Sequence, residues 1–287
     1  MAFALALAGG GTRGAAHVGV LAALTEAGLV PTAVAGTSAG SLVAGLYACG
    51  VSPARLWELV VSLANRRIRL VDPDYGGILK ALLQFFTFRD ITLKGLIKGT
   101  RMEHFLRAQT GGKRMREVGL RLLIPTVDIR TGKTIVYTNT LAGTRPLPHV
   151  EWRTDGTVGE AMRASSAVPA VFHPVLRDGF CQVDGGVTDN LPVELLLAAG
   201  ERRVLAVDVS EEYEAPCHEN LIEIASHSLT IMGTRLKERI STGEQFLLHP
   251  TLPEDAGLLT FGPMAACMEA GYTAAREQLP VLKALFG

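Results

Sequence analysis

Two glycine-rich loops near the start of the chain constrain its fold more than any other feature. Each loop follows a short apolar run and precedes a stretch with helical spacing of apolar residues, an order typical of parallel βαβ units. The loops are residues 9–14 (GGGTRG) and residues 36–40 (GTSAG). The second matches G-x-S-x-G, a strand-to-helix turn that lifts a serine hydroxyl above the end of a sheet. The pair therefore predicts an α/β fold with a functional edge around Ser38.

Composition narrows the class of function without choosing one. The 287 residues include 28 basic and 28 acidic side chains, so the formal net charge of zero gives no electrostatic reason to expect a nucleic-acid partner. Hydrophobic residues make up 48% of the chain and the mean hydropathy is +0.25. A buried parallel sheet explains these values, and contact with an apolar substrate or a membrane surface would explain them equally.

The cysteine spacing and the uncharged segments indicate in which cellular compartment the protein works. The four cysteines show no C-x-x-C pairing or metal-ligand spacing, which predicts reduced thiols in a cytoplasmic protein. Residues 1–8 are apolar but lack a basic region, which favours a buried strand over a signal peptide. Residues 27–52 carry no charge, but interruptions by Gly, Ser, Thr and Pro favour a buried strand and helix over a membrane span. Peripheral contact with the inner membrane surface stays open.

The rest of the chain continues the alternation of strands and helices. Predicted strands cover residues 3–8, 33–36, 120–129, 134–139, 171–176, 180–183, 204–209 and 246–248. Predicted helices cover residues 15–27, 39–49, 53–64, 102–110, 219–240 and 264–285. No repeat or linker interrupts them, so we predict one domain over residues 1–287, with three α/β/α layers around a mainly parallel central sheet.

Residues 78–88 (ILKALLQFFTF) are strongly apolar and carry a single charge. One interpretation is a lid or lipid-contact segment above Ser38. The other is an ordinary buried helix, which is the interpretation that the apolar composition favours.

The first glycine loop has two chemical interpretations. Residues 9–14 also fit the dinucleotide fingerprint G-x-G-x-x-G, which requires an acidic residue at the end of the second strand to bind ribose hydroxyls. Ser38 stands near that position instead, so the fingerprint lacks its specificity element. The bare N–H groups of Gly10 and Gly11, with the Ala39 N–H at the next helix start, suit a developing oxyanion better.

A serine nucleophile also needs a proton acceptor. Asp184 ends a predicted strand, and the two glycines after it leave room for close approach, whereas Asp208 ends another strand and is its rival. Either aspartate would need burial to raise its pKa before it could act as a base. The histidines are weaker candidates because none has a distinctive setting: His17, His218, His227 and His249.

Four blocks of the sequence, in order, resemble the patatin-like phospholipase family, in particular its bacterial single-domain branch. The blocks are residues 9–14, residues 36–40, residues 164–169 (ASSAVP) and residues 184–186 (DGG). The full set is far more specific than any single block. The resemblance implies a patatin-like catalytic core over residues 5–197, with residues 198–287 completing the same domain.

The resemblance also implies roles for individual residues. Ser38 and Asp184 would form a catalytic dyad, and the reaction would be hydrolysis of phospholipid or lysophospholipid acyl esters without a metal or other cofactor. The oxyanion hole would comprise Gly9, Gly10, Gly11, Arg13 and Gly14, joined by Ala39 at the helix start, with Gly36 and Gly40 in the nucleophile elbow and Gly185 and Gly186 in the acid loop. Ala8 and Thr12 depart from the usual pattern of the glycine block but remove no backbone donor.

Two other classes of function stay open from the sequence. One is a non-catalytic regulatory or membrane-binding module on the same fold, and the other is a nucleotide-dependent oxidoreductase. The expected partner is a lipid or another acyl-ester substrate and not nucleic acid. The sequence predicts neither the head group nor the acyl chain nor the oligomeric state.

Overall fold

The computed structural model describes residues 2–65, 70–87, 90, 92–210, 228, 231–233, 235 and 243–287. The strands are β1 (Ala4–Leu7), β2 (Ala33–Gly36), β3 (Arg121–Asp128), β4 (Lys133–Thr138), β5 (Val150–Arg153), β6 (Val175–Arg177), β7 (Phe180–Asp184), β8 (Val204–Val207) and β9 (Phe246–Leu248). The helices are α1 (Ala15–Glu26), α2 (Ala39–Ala48), α3 (Pro53–Asn65), α4 (Tyr75–Phe86), α5 (Thr100–Thr110), α6 (Val158–Ser165), α7 (Val193–Ala198), α8 (Met264–Glu277) and α9 (Leu279–Phe286). The helix predicted over residues 219–240 lies outside the described residues apart from residues 228, 231–233 and 235.

The described strands form one mainly parallel sheet. Its order is β5-β4-β3-β2-β1-β8-β9, and β7 joins it by pairing with β3 and β6. The central run β3-β2-β1-β8-β9 is parallel throughout, whereas β4 and β7 pair antiparallel with β3. Every residue of β1, β2 and β8 is buried, so both faces of the sheet are covered. The predicted α/β class, with a mainly parallel sheet flanked by helices, is confirmed.

Two different strands pair with successive parts of β3. Its first part pairs with β2, ending where Leu123 lies opposite Ala35. Its last part pairs with β7, where Thr126 lies opposite Asp184. Because β2 and β7 run in opposite directions along β3, the end of each strand faces the end of the other. The turn that follows β2 therefore meets the turn that follows β7.

Helices α1 and α8 approach each other closely through glycines. A Cβ added at Gly19 would collide with the Met268 carbonyl oxygen, and one added at Gly271 would collide with the Ala16 carbonyl oxygen. The close approach fixes α8 against the helix that follows the first glycine loop, so the C-terminal part of the chain supports that loop.

Helix α4 is exposed, whereas the sequence favoured a buried helix over residues 78–88. It has no fully buried residue, and Phe85 and Phe86 are 65% and 75% exposed. The prediction was wrong because the apolar residues surround the helix, and only Gly77, Ile78, Ala81 and Gln84 on its inner side are partly covered. Among the described residues, no helix is long and apolar enough to cross a membrane.

Other differences from the predicted elements have local causes. The strand predicted over residues 171–176 shrinks to β6, which forms a hairpin with β7 through Asp178 and Gly179. Both residues have positive φ, as Asp-Gly hairpin turns require. The helix predicted over residues 264–285 is two helices, and Pro280 lies in the first turn of the second, where its missing N–H costs nothing. The sequence did not predict β5, α6 or α7.

We expect Gly19→Ala to lower the free energy of unfolding by about 1–3 kcal/mol, because α1 and α8 must separate to accommodate the new methyl group. Alanine has the higher helix propensity, so any loss reports the collision. Gly119→Ala is the matched control, since a Cβ there meets nothing within 4 Å. Chemical denaturation of both variants measures the difference. Equal stability of the two variants would contradict the close helix packing.

Candidate active site

Ser38 stands at a sharp turn between β2 and α2. Its φ of 51° is uncommon for a residue with a side chain, so the turn holds it in a strained conformation. The flanking glycines permit the turn to sit against β1. A Cβ at Gly36 would collide with the Gly40 carbonyl oxygen, and a Cβ at Gly40 would collide with the Leu7 carbonyl oxygen.

The Ser38 hydroxyl donates a hydrogen bond to Asp184. The distance from Ser38 Oγ to Asp184 Oδ2 is 2.6 Å. Both residues are buried, with 8% of Ser38 and 5% of Asp184 exposed to solvent. The other carboxylate oxygen of Asp184 accepts the Gly186 N–H at 2.8 Å. The chain therefore brings the two predicted dyad residues into direct contact.

Burial makes the Asp184 carboxylate a stronger base by raising its pKa. Desolvation raises its pKa from 3.8 to about 6, against the opposing effect of the hydrogen bonds from Ser38 and Gly186. A carboxylate with a pKa near the working pH can accept a proton in the transition state, which an ordinary surface aspartate does poorly.

The acid loop is held against β3 and against the segment that follows α6. A Cβ at Gly185 would collide with the Pro125 carbonyl oxygen, so this glycine lets the loop pack on β3. The Asp184 N–H donates to the Ala167 carbonyl at 3.0 Å. These contacts fix the direction of the Asp184 carboxylate.

The first glycine loop lies beside the nucleophile. A Cβ at Gly9 would sit 3.2 Å from Ser38 Cβ. Within the part of the chain that the structure describes, the N–H groups of Gly10, Gly11 and Ala39 have no hydrogen-bond partner. The α2 N-terminus adds its partial positive charge at the same place. These are the groups that an oxyanion needs.

Two other members of the predicted oxyanion loop have different surroundings. Gly14 lets the loop touch α2, because a Cβ there would collide with Ala39 Cβ. Arg13 lies in the one-turn 3-10 helix Gly11–Gly14, and its charge acts on Cys267 of α8, opposing the effect of burial, which raises the pKa of that thiol to about 11. The role of Arg13 at an oxyanion stays a prediction.

Three serines that the sequence analysis left without a role hold the backbone of Ser38. The Ser165 hydroxyl accepts the Ser38 N–H at 3.1 Å. The Ser38 carbonyl accepts hydrogen bonds from Ser41 Oγ at 2.6 Å and Ser166 Oγ at 3.3 Å. Residues 164–169 carried the only signal, since they form one of the four family-like blocks.

Asn190 joins the first glycine loop to the acid loop, and the sequence analysis missed it. Its carbonyl accepts the Gly9 N–H at 2.9 Å, and its side-chain amide donates to the Gly9 carbonyl at 3.4 Å. A Cβ at Gly186 would lie 3.0 Å from the Asn190 amide oxygen. Asn190 therefore packs between the two loops that flank Ser38.

The rival bases have other contacts. Asp208 accepts hydrogen bonds from the Ser210 N–H and hydroxyl, and its Oδ2 lies 3.7 Å from His249 Nδ1. His17 donates to the Ala8 carbonyl at 2.8 Å, and burial lowers its pKa to about 4, so it is a neutral packing residue. His218 and His227 lie outside the described residues.

Two glycines of the loop that fits the dinucleotide fingerprint pack closely against other segments of the chain. A Cβ at Gly11 would meet Leu258 Cα at 2.6 Å, and one at Gly10 would meet a Val209 methyl at 2.9 Å. These glycines therefore let the loop pack against Val209 and Leu258, and Ser38 stands just after the second strand, where the dinucleotide fingerprint needs a carboxylate. In the described part of the chain, no group of three or more His, Cys, Asp or Glu side chains is arranged to hold a metal ion.

The chain is similar to known proteins over much of its length. The family model described as "Patatin-like phospholipase" matches residues 5–197. "Lysophospholipase NTE1" of Mycosarcoma maydis is 31% identical over 209 residues, which cover 73% of this chain and 10% of that protein. An uncharacterized NTE family protein of Mycobacterium tuberculosis is 24% identical over 306 residues, covering 96% of this chain and 46% of that protein. "Patatin-like phospholipase domain-containing protein 6" of Mus musculus is 28% identical, covering 74% of this chain and 14% of that protein. The chain thus spans less than half the length of these relatives.

We expect Asp184→Asn to raise the free energy of unfolding at neutral pH. A carboxyl whose pKa is raised by folding stabilises the fold only while it is protonated, below its unfolded pKa of about 4. That stabilisation of the fold is lost as the pH rises through about 6. The pKa difference between the unfolded and folded protein corresponds to about 3 kcal/mol of unfolding free energy. The variant cannot ionise and avoids this loss.

Urea denaturation of both proteins at several pH values measures the effect. The stability advantage of Asp184→Asn should grow between about pH 4 and pH 6 and then level off. Exposed Asp178→Asn is the control. An advantage that is independent of pH would contradict the buried, raised-pKa carboxyl.

Proposed function

Because the chain belongs to the patatin-like phospholipase family, we propose that it hydrolyses acyl esters of lipids, with Ser38 as nucleophile and Asp184 as its base. One observation carries the proposal: the 2.6 Å hydrogen bond from a strained serine to a buried, raised-pKa carboxylate. A nucleophile within hydrogen-bond reach of its base, with that base oriented by a third group, is the arrangement that covalent catalysis needs. Here the orienting group is the Gly186 N–H.

In the first half of the proposed reaction, Asp184 accepts the hydroxyl proton while Ser38 Oγ attacks the ester carbonyl carbon. The N–H groups of Gly10, Gly11 and Ala39 stabilise the negative charge on the carbonyl oxygen. Each such donor contributes about 3 kcal/mol of transition-state stabilisation in comparable sites. The tetrahedral intermediate collapses, the C–O bond to the alcohol breaks, and Asp184 returns its proton to the leaving oxygen.

In the second half, water replaces the alcohol. Asp184 accepts a proton from the water, whose oxygen attacks the acyl-serine carbonyl carbon. The same backbone donors receive the oxyanion. When the bond to Ser38 Oγ breaks, Asp184 gives the proton back to the serine, and a free fatty acid leaves.

A phospholipid or lysophospholipid is the substrate class that we propose. The name of the Mycosarcoma maydis relative specifies a lysophospholipase, and that of the mouse relative a patatin-like phospholipase domain. The dry dyad suits such a substrate, because an acyl chain that fills the site excludes water and keeps the Asp184 pKa raised.

We expect a fluorophosphonate ester to form a single adduct on Ser38, because only a serine activated by its base attacks phosphorus readily. Peptide mapping by mass spectrometry locates the adduct, and hydrolysis of a lysophospholipid is followed in parallel. Ser38→Ala should abolish both signals, and Asp184→Asn should reduce both by at least about a hundredfold. Ser62→Ala, at an exposed serine of α3, is the matched control. An adduct on another serine, or full activity in Ser38→Ala, would contradict the nucleophile.

We expect the hydrolysis rate to rise with pH through an apparent pKa of about 6, because the base works only when Asp184 is ionised. The measurement is the pH profile of kcat/KM on a water-soluble ester. Asp208→Asn should keep the same profile, since Asp208 does not contact Ser38. Loss of activity in Asp208→Asn with full activity in Asp184→Asn would reverse the assignment of the base.

A further inference from the structure

Helix α4 presents six large apolar or aromatic side chains to solvent. Each is more than half exposed, from 52% to 75%. We call them the α4 patch: Tyr75, Leu79, Leu82, Leu83, Phe85 and Phe86. Clustered exposure of this kind on one short helix marks a surface that binds something, whereas scattered apolar residues do not.

The helix is anchored in this orientation by polar contacts at both ends. Asp74 caps its N-terminus, because one carboxylate oxygen accepts the Gly77 N–H at 3.1 Å. Near the C-terminus, the Gln84 side-chain oxygen accepts the Thr92 N–H at 3.0 Å and the Thr92 hydroxyl at 3.1 Å. These bonds use the inner side of the helix and leave the α4 patch outward.

The base of α4 lies close to the candidate active site. The Asp74 N–H donates to the Leu96 carbonyl, and the Leu96 N–H donates to the Val171 carbonyl. Val171 and Leu96 belong to a small apolar cluster that includes Ala167, whose carbonyl accepts the Asp184 N–H, and Leu258, which covers Gly11. The segment that holds the start of α4 is therefore connected, through this cluster, to the backbone that binds Asp184.

The sequence that includes the patch is rich in basic residues. Residues 66–101 contain eight Lys or Arg and three Asp, although the whole chain carries no net charge. Lys80 on α4 is exposed, as are Lys94, Lys98 and Arg101 on the segments that follow. Apolar and aromatic side chains together with basic ones are the composition of helices that lie in the interface of an anionic membrane.

We infer that the α4 patch docks onto the surface of an anionic lipid membrane, with α4 lying in the plane of the interface. The inference deepens the proposed function, since it names where the lipid substrate comes from. A second copy of the chain is a poorer occupant, because a two-fold contact through the patch would bring the same cations face to face.

The test uses the full chain carrying Ser38→Ala, so that binding is measured without hydrolysis. Sedimentation compares vesicles of phosphatidylcholine alone with vesicles that also contain phosphatidylglycerol. Binding to the anionic vesicles should be the tighter, and added salt should weaken it. This result stands whether or not the wild-type protein hydrolyses a lipid, so the docking surface and the proposed reaction fail separately.

Two pairs of variants separate the apolar and the electrostatic contributions. Phe85→Ser with Phe86→Ser should weaken vesicle binding by at least about tenfold, because two apolar side chains no longer insert. The matched control, Ile129→Ser with Leu141→Ser, changes two apolar residues that are also about half exposed but lie far from α4 in the chain. Circular dichroism verifies that every variant is folded.

The charge pair is Lys80→Gln with Lys94→Gln. Each lost charge should weaken binding to anionic vesicles about fivefold and leave binding to neutral vesicles unchanged. Arg145→Gln with Arg202→Gln, at two exposed arginines elsewhere, is its control.

Three outcomes would overturn the inference. One is equal binding of the starting protein to neutral and anionic vesicles, and another is unchanged binding after Phe85→Ser with Phe86→Ser. The third is self-association in analytical ultracentrifugation that these two substitutions abolish, which would make a second copy of the chain the occupant.

Discussion

The division of one edge of β3 between two strands is the constraint on which the rest of the molecule depends. Residues of β2 occupy its first part and residues of β7 its last part, so a parallel and an antiparallel strand end against each other. The turn after β2 carries Ser38 and the last residue of β7 is Asp184, and the two residues lie 146 positions apart in the chain. Their 2.6 Å hydrogen bond follows from this register and needs no flexible loop to bring them together. A site built on strand ends is held more precisely than one built on loops.

That arrangement has a cost in folding free energy, which the surrounding polar contacts offset. Ser38 is strained at a φ of 51°, and the buried Asp184 carboxyl has its pKa raised to about 6 by desolvation. Hydrogen bonds from Ser38 and Gly186 compensate part of the carboxylate desolvation, and Ser165 and Ser166 hold the strained residue through its backbone. Strain and desolvation of this size persist only where the neighbourhood determines the conformation fully.

The sequence predicted the parts of this design that depend on local residue order. Glycines at fixed spacing after apolar runs located both loops, because a residue with a side chain would collide with Leu258 at the first loop and with Leu7 at the second. The pairing of β7 with the last part of β3 is non-local, so nothing in residues 180–184 alone indicates it. The direction of α4 was also out of reach, because apolar residues on all sides of a helix do not specify which side the protein covers. The block over residues 164–169 marked two of the supporting serines but not their role, since short polar residues occur in many turns.

One physical requirement connects the buried pair Ser38 and Asp184 with the exposed helix α4. A carboxylate becomes a useful base when water is kept away from it, and in the proposed reaction an acyl ester would reach Ser38 only when its own apolar chain leaves a lipid phase. A protein that waits for such a substrate in bulk water faces lipids that are almost wholly aggregated. Docked as inferred, α4 would place the buried pair Ser38 and Asp184 at the lipid aggregate, where the acyl chain exchanges one apolar environment for another. On this view, the exposed apolar surface of α4 and the burial of Asp184 serve the same transfer. The acyl chain moves from the lipid phase into a site that excludes water.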